Sequence, residues 1–187
     1  MNEVLIPSIQ THKALDAFLE TEYTYGIIMN FDLEELYEII GKMHKNHKKA
    51  IIHLDLIRGL SGDEYGAIFC IQNLHIDGII SSRSKVISLC KKRNILGILR
   101  IFLKDQYSLA QNIKSIQESN ADLVEILPYM PKILPHIKKL VTQDILMGGL
   151  ITKEQHIESC IKYGATAITT SCTSLWNYRK NRKEDLT

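Results

Sequence analysis

The sequence lacks several features that would assign it to a special class of protein. No uninterrupted apolar run approaches the roughly 18–20 residues that a membrane-spanning helix needs. The 4 cysteines form no C-x-x-C pair, and the 7 histidines show no spacing typical of a metal site. The amino terminus has no basic segment of the kind that begins a secretory signal. We therefore expect a soluble, cytoplasmic protein with reduced cysteines, no bound metal and no membrane partner.

An excess of charge of one sign is also missing. The 23 Lys and Arg residues nearly balance the 21 Asp and Glu residues, which leaves a formal net charge of +2. Bulk electrostatics therefore does not require a nucleic-acid or membrane partner. With 187 residues, 45% of them hydrophobic, the chain is long enough to bury a substantial core. We predict one domain over residues 1–177 and a basic, frayed tail over residues 178–187.

What the sequence does contain is an alternation of short apolar runs with longer amphipathic segments. This alternation predicts parallel strands covered by helices. Polar residues follow nearly every strand, which favours a compact TIM-like (β/α)8 barrel over an open doubly wound sheet with a single switch point. The eight predicted strands are Val4–Ile6, Gly26–Asn30, Ala50–Leu54, Gly78–Ser81, Gly97–Ile101, Leu123–Leu127, Ile145–Met147 and Thr166–Ile168.

Two consecutive turns near the end of the chain predict a phosphate-binding cup. The seventh strand stops at Gly148 and Gly149, and the eighth stops before Thr170 and Ser171. Glycine lets the backbone approach an anion closely, and the free N–H groups at the start of a following helix carry partial positive charge. We predict that these four residues bind a phosphate group. The alternative is that the glycines only form a tight turn between strand and helix.

Five charged residues end or follow predicted strands and are candidates for ligand contact at the same end of the barrel. Carboxylates accept hydrogen bonds from ligand hydroxyls, and guanidinium groups form forked pairs with phosphate or carboxylate groups. The alternative is a set of ion pairs that satisfies the loops. The five residues are Asp55, Arg58, Arg83, Arg100 and Glu125.

His53 precedes Asp55 by two positions on the third predicted strand. Strand alternation places the two side chains on the same face, which would suit an acid–base pair. The interpretation that we favour is a hydrogen-bonded core histidine. Either way, this residue is expected inside the fold.

Basic residues occur in small clusters, mainly at the predicted carboxyl ends of helices. Cations are favoured there by the helix dipole alone, and no aromatic-interleaved motif typical of single-stranded RNA readers accompanies them. The clusters therefore indicate nucleic-acid binding only weakly. The candidate RNA contacts in the tail are Arg179, Lys180, Arg182 and Lys183.

Several motifs in a fixed order resemble one family, the glycerol uptake operon antiterminators. The motifs are His53–Leu60, Asp63–Tyr65, Asp77–Arg83, Arg100–Phe102, Glu125–Pro128, Met130–Lys132, Gly148–Ile151, Thr170–Ser171 and Leu175–Trp176. The resemblance extends from Ile6 to Trp176. It departs from the family at Tyr129, because the family's loop reads Leu-Pro-Gly-x-Met-Pro and the glycine is missing here.

The resemblance implies a regulator and not an enzyme. Members of this family respond to glycerol 3-phosphate, bind the leader mRNA of glycerol-utilisation genes and prevent premature termination of transcription. The implied partners are leader mRNA and the effector glycerol 3-phosphate, with no other cofactor. A homodimer formed on ligand binding would add avidity for RNA, since one barrel offers few phosphate contacts.

A second hypothesis from a different class is a small phosphosugar enzyme, such as an isomerase, epimerase or aldolase. Asp55 or Glu125 would serve as its base. No strand ends in a lysine placed for a Schiff base, because Lys104 lies beyond the end of the fifth strand. A barrel does not by itself imply catalysis. We therefore favour the regulator.

Overall fold

A computed structural model describes residues 3–178 of the chain, in which eight strands alternate with seven α-helices. The strands are β1 (Leu5–Ile9), β2 (Tyr25–Ile28), β3 (Lys49–His53), β4 (Gly78–Ser81), β5 (Leu96–Phe102), β6 (Leu123–Leu127), β7 (Asp144–Met147) and β8 (Ala167–Thr170). The helices are α1 (His12–Leu19), α2 (Leu36–Lys45), α3 (Glu64–Asn73), α4 (Ser84–Lys92), α5 (Gln106–Ser119), α6 (Leu134–Ile137) and α7 (Glu154–Lys162).

The eight strands form a closed barrel in the order β1 to β8, and each strand is parallel to its neighbours. The predicted (β/α)8 barrel is confirmed, and the alternative of an open sheet is wrong. The carboxyl ends of all eight strands consequently open on one face of the molecule, where barrels carry their sites. No helix within residues 3–178 has the length and apolar character needed to cross a membrane.

Strand bounds match the prediction at β4 and β6 and differ at the other six strands, including β1 and β8, which close the barrel. β1 continues through Pro7 to Ile9, and β8 ends at Thr170 instead of Ile168. Pro7 lacks an N–H group, yet it pairs with Thr170 in the sheet. Neighbouring strands on both sides keep β1 extended despite this missing donor.

The helices begin where side chains cap them and bury one apolar face. The Thr11 hydroxyl accepts the N–H of Ala14 at the start of α1, and Asp63 accepts two N–H groups at the start of α3. Residues at helical spacing pack α2 against the sheet. These buried residues are Leu36, Ile39, Ile40 and Met43.

The last unit of the barrel ends differently from the others. In the described chain a 3-10 turn, Thr173–Leu175, stands where an eighth helix would follow. The buried indole of Trp176 donates to the carbonyl oxygen of Thr170 at 3.1 Å. The Tyr23 hydroxyl donates to the carbonyl oxygen of Tyr178 at 2.7 Å. These contacts hold the chain against the barrel as far as Tyr178.

The inside of the barrel is filled by one apolar side chain from every strand. These eight residues form a cluster separate from the larger core between sheet and helices. They are Ile6, Ile27, Ile51, Ile80, Ile98, Leu123, Leu146 and Ala167.

Residues two positions further along each strand also point inward, nearer to the carboxyl face. Most of them are polar or lack a side chain, so the apolar filling stops below that face. Six of these positions are polar residues or glycine, namely Ser8, His53, Arg100, Glu125, Gly148 and Thr169. Four of them, Ser8, Arg100, Glu125 and Thr169, line the cavity described below.

Candidate ligand-binding site

A cavity of about 510 Å³ opens at the carboxyl face of the barrel. This volume suits a small organic ligand. Two loops, those after β7 and β8, form one wall, and inward-facing residues of β1, β5, β6 and β8 form the floor. The residues that line the cavity include Ser8, Met29, Arg100, Glu125, Gly149, Leu150, Ile151, Thr169, Thr170, Ser171 and Cys172.

The loop after β7 presents free backbone donors to this cavity. Gly149 and Leu150 have φ angles of 78° and 58°, in the left-handed region that glycine tolerates and leucine rarely adopts. Within residues 3–178, the N–H groups of Gly149, Leu150 and Ile151 make no hydrogen bond. Successive free N–H groups of this kind form an anion-binding concavity.

The loop after β8 adds one donor and ties the two loops together. Ser171 lines the cavity, and its N–H group has no hydrogen-bond partner in the described part of the chain. The Thr170 hydroxyl donates to the carbonyl oxygen of Ile151 at 2.7 Å and accepts the N–H of Cys172 at 3.1 Å. Thr170 therefore positions the loops, and its hydroxyl is already engaged.

Gly148 lies at the floor of the cavity. Its N–H group donates to the carbonyl oxygen of Ile126 at 3.0 Å, so it is not free for a ligand. A Cβ at this position would lie 3.1 Å from Oε1 of Glu125 and would overlap the Thr169 hydroxyl. Gly148 thus makes room for a buried carboxylate, whereas Gly149 supplies the open turn.

A buried ion pair crosses the floor. Nε of Arg100 donates to Oε2 of Glu125 at 2.5 Å, and the Thr169 hydroxyl donates to Oε1 at 2.5 Å. Glu125 is fully buried, and Arg100 is 9% exposed. Within residues 3–178 the two terminal nitrogens of Arg100 have no hydrogen-bond partner. This guanidinium can therefore hold a further anion or hydroxyl group.

Two other predicted residues, Asp55 and Arg83, lie together outside the cavity lining. Asp55 accepts hydrogen bonds from the hydroxyl groups of Ser81 and Ser82 and from the N–H of Ser82. Nε of Arg83 lies 3.9 Å from Oδ1 of Asp55. This arrangement agrees with the alternative expectation, in which the charged residues form ion pairs that satisfy the loops.

Arg58 also lies away from the cavity lining. Its Nε donates to Oδ1 of Asp32 at 2.5 Å, and Nη1 donates to the carbonyl oxygen of Asn30 at 2.6 Å. The hydrogen bond from Arg58 lowers the pKa of Asp32, although both side chains are largely exposed. The pair fastens the loops after β2 and β3 to each other.

His53 is buried as expected, but it is neither hydrogen-bonded nor paired with Asp55. β3 ends at His53, and Asp55 lies in the 3-10 turn Leu54–Leu56, so strand alternation does not extend to it. Neither ring nitrogen has a partner among the described residues. Burial, and next the charge of Arg100, lowers the pKa of His53 to about 3.

The four tail residues predicted to contact RNA, Arg179, Lys180, Arg182 and Lys183, lie outside the described residues. Of the other basic residues, Lys91 pairs with Asp122, and Lys48 donates to two backbone carbonyl groups. Residues 3–178 contain no group of three His, Cys, Asp or Glu side chains that could hold a metal ion.

A sequence model of the glycerol-3-phosphate responsive antiterminators matches residues 5–176 of the chain. The chain belongs to this family. The resemblance inferred from the motifs is therefore confirmed.

Three relatives of the chain show how far the likeness extends. The crystal structure of the glycerol uptake operon antiterminator regulatory protein from Listeria monocytogenes str. 4b F2365 is 28% identical, with a TM-score of 0.88, and the match covers 98% of this chain and 96% of that one. A glycerol uptake operon antiterminator-related protein from Thermotoga maritima MSB8 shares the fold, at 23% identity and a TM-score of 0.80 over 95% and 100% of the chains. The uncharacterized protein YgcP of Escherichia coli K12 is 28% identical over 177 residues, which cover 94% of this chain and 93% of YgcP.

Tyr129 is the position at which the sequence departs from the family's glycine loop. Its side chain packs beside the cavity. Its ring centroid lies 4.6 Å from that of His156 in α7. Nδ1 of His156 in turn accepts the N–H of Thr152 at 3.4 Å. The tyrosine therefore supports the wall of the cavity from outside and does not line it.

The sequence analysis did not identify Thr169, Ser8 or Cys172 as site residues. Thr169 and Ser8 each lie two positions after an inward-facing apolar residue, so strand alternation alone could have identified them. The prediction instead considered charged residues at or after the strand ends and the two turns after the seventh and eighth strands. No comparable signal marks Cys172, which reaches the cavity through the path of the loop after β8.

Proposed function

We propose that this protein is a glycerol-3-phosphate-responsive transcription antiterminator that binds the leader mRNA of glycerol-utilisation genes. In this proposal glycerol 3-phosphate is the effector, and the protein works in the cytoplasm. Membership of the antiterminator family supports the proposal. The observation that carries it is the convergence of four free backbone N–H groups and the unpaired end of Arg100 on one cavity.

The phosphate group fits the rim of the cavity. The donors there are the N–H groups of Gly149, Leu150, Ile151 and Ser171. Such backbone donors bind a dianion without needing a lysine, and each hydrogen bond is strengthened by the charge of the ligand. The hydroxyl groups of the glycerol portion then reach the floor near Arg100.

Catalysis by proton abstraction is disfavoured by the hydrogen bonds of Glu125. Both of its oxygens already accept a hydrogen bond, from Arg100 and from Thr169. Asp55, the other base considered, is engaged by Ser81 and Ser82 outside the cavity lining. A poised general base needs a free acceptor within reach of the substrate. We therefore propose a ligand sensor and not an enzyme.

Binding of the effector supplies a physical link to RNA. A ligand that joins the loops after β7 and β8 stabilises one loop arrangement relative to others, and it shifts the population toward the form that it binds better. If that form associates as a homodimer, two barrels bind one leader mRNA with the avidity that a single barrel lacks. We propose this order of events for the antiterminator.

A thermal-shift comparison followed by an RNA-binding assay tests the proposed function. We expect glycerol 3-phosphate to raise the melting temperature by several degrees, inorganic phosphate to raise it less, and glycerol to have no effect. Binding of the leader RNA, measured by gel shift, should then tighten when glycerol 3-phosphate is added. A transcript with a scrambled leader of equal length is the matched control. Equal binding with and without effector would contradict the sensor.

A further inference from the structure

The imidazole of His53 is an exception among the buried polar groups of this barrel. The side chain is 2% exposed, and neither Nδ1 nor Nε2 has a hydrogen-bond partner within residues 3–178. Buried polar atoms in proteins are nearly always paired, because an unpaired one costs free energy. The unpaired nitrogens therefore point to a hydrogen-bond partner that is not part of the protein chain.

The strand register places His53 in the same inward-facing layer as two residues that line the ligand cavity, although His53 itself lies beneath the lining. The pairing of the strands defines one inward-facing layer to which alternate strands contribute. Its members are Ser8 of β1, His53 of β3, Arg100 of β5 and Gly148 directly after β7. Ser8 and Arg100 both line the cavity. Gly148, across the barrel from His53, leaves its quarter of the layer without a side chain.

Burial and a neighbouring positive charge keep the imidazole ring of His53 neutral. Burial and the neighbouring Arg100 guanidinium lower the pKa of His53 to about 3. A neutral imidazole has one nitrogen that donates and one that accepts a hydrogen bond. Two adjacent hydroxyl groups of a polyol offer the complementary acceptor and donor. Inorganic phosphate bound at the rim does not extend to the ring, so it offers the imidazole neither a donor nor an acceptor.

We propose that His53 is a specificity-determining residue that recognises the hydroxyl end of a polyol phosphate in this cavity. The inference rests on the proposed function, because it places the phosphate at the rim and the carbon chain toward the floor. Met29, the residue directly after β2, lines the cavity, and its flexible thioether side chain can change rotamer to admit the ligand toward the ring. One ring nitrogen donates to a ligand hydroxyl, and the other accepts from the next.

Titration calorimetry with glycerol 3-phosphate and with inorganic phosphate tests this role. We expect His53→Leu to weaken glycerol 3-phosphate binding by about tenfold or more, the effect of losing one or two hydrogen bonds. Phosphate affinity should stay within about twofold of the wild type, because the rim donors are untouched. His53→Gln, which keeps a donor and an acceptor, should lose less, and His136→Gln, at an exposed position of helix α6, is the control.

The melting temperature of the ligand-free variants separates recognition from a structural role. His53→Leu removes a buried unpaired polar group, so we expect its melting temperature to equal or exceed that of the wild type. In the wild-type protein, the ¹⁵N resonances of the His53 ring should shift on adding glycerol 3-phosphate and not on adding phosphate.

The outcomes distinguish this inference from the proposed function. Wild-type affinity for glycerol 3-phosphate in His53→Leu, or ring resonances that do not move, would overturn the role of His53 while leaving the effector site in place. Wild-type protein that binds neither compound would overturn both. Loss of stability in His53→Leu and His53→Gln alike, with no change in the wild-type ring resonances, would make His53 structural.

Discussion

Arg100 holds Glu125 at the floor of the barrel through a 2.5 Å hydrogen bond between two side chains that are 10% and 1% exposed. A buried ion pair is costly to break, because the remaining charge loses both its partner and its hydration. The same pair leaves the terminal nitrogens of Arg100 facing the cavity. Arg100 therefore contributes to the stability of the fold and, in our proposal, to ligand binding. Suitable variants can measure the two effects separately.

Arg100→Met should lower the free energy of unfolding by about 3–5 kcal/mol, since it leaves the buried Glu125 without its cationic partner. The double variant Arg100→Met/Glu125→Leu should recover most of that stability yet still show no thermal shift with glycerol 3-phosphate. Urea unfolding measures the first effect. Arg58→Met removes an exposed pair and should change the free energy of unfolding far less than Arg100→Met does. A stable single variant would contradict the structural role of the pair.

Gly149→Asp should abolish the thermal stabilisation by glycerol 3-phosphate, because it places a carboxylate beside the phosphate donors. Gly149 has a φ of 78°, so any other residue is strained there by about 1–2 kcal/mol. Gly149→Ala carries the same strain without the charge and serves as the matched control. We expect the alanine variant to keep most of the ligand-induced shift. Equal loss in both variants would point to loop geometry alone.

Cys172 should be the cysteine that alkylating reagents modify in the folded protein. Burial raises the pKa values of Cys70, Cys90 and Cys160 to about 12, whereas Cys172 is partly exposed and lines the cavity. Mass spectrometry after brief treatment with iodoacetamide at pH 8 would show one modified site. Glycerol 3-phosphate should slow this reaction, and glycerol should not. Modification at an unchanged rate would place the ligand elsewhere.

The stability of the protein should fall as the pH drops below 6.5, in part through His53. The folded ring stays neutral down to about pH 3, whereas the unfolded ring binds a proton near pH 6.5. Below pH 6.5 the unfolded state therefore gains up to about 1.4 kcal/mol per pH unit, or about 2 kcal/mol by pH 5. Urea unfolding of wild type and His53→Gln at pH 7, 6 and 5 isolates this contribution. Parallel curves would contradict it.

Deleting residues 179–187 should weaken RNA binding and reduce its dependence on salt. This segment contains Arg179, Lys180, Arg182 and Lys183, and each phosphate contact that is lost lowers the salt slope by about one. The deletion should start after Tyr178, whose carbonyl accepts a hydrogen bond from Tyr23. The thermal shift with glycerol 3-phosphate should be unchanged. An unaltered slope would place the RNA surface elsewhere.

Much of the fold could be predicted because each strand carries its own local pattern. Short apolar runs between amphipathic segments indicated all eight strands, and two of them, Gly78–Ser81 and Leu123–Leu127, were predicted with their observed bounds. The least accurate bounds were those of β1 and β8. Their length depends on the pairing between Pro7 and Thr170, residues at opposite ends of the sequence.

The candidate site was predictable only in part. Gly149, Ser171, Arg100 and Glu125 were identified from their places at strand ends, and the structure brings them to one cavity. Arg58 was identified by the same rule, yet it pairs with Asp32 away from the cavity lining. A strand end says that a residue is near the carboxyl face but not which neighbour it meets there.

By itself, then, the sequence determined the barrel, the family and the end of the barrel at which the cavity opens, because strand periodicity, turn residues and motif order are local properties. Only the tertiary structure decided that Thr170 ties two loops together, that Thr169 and Arg100 share Glu125, and that His53 has no partner. Those relationships join residues far apart in the chain. They depend on the stagger of eight closed strands, which no single segment encodes.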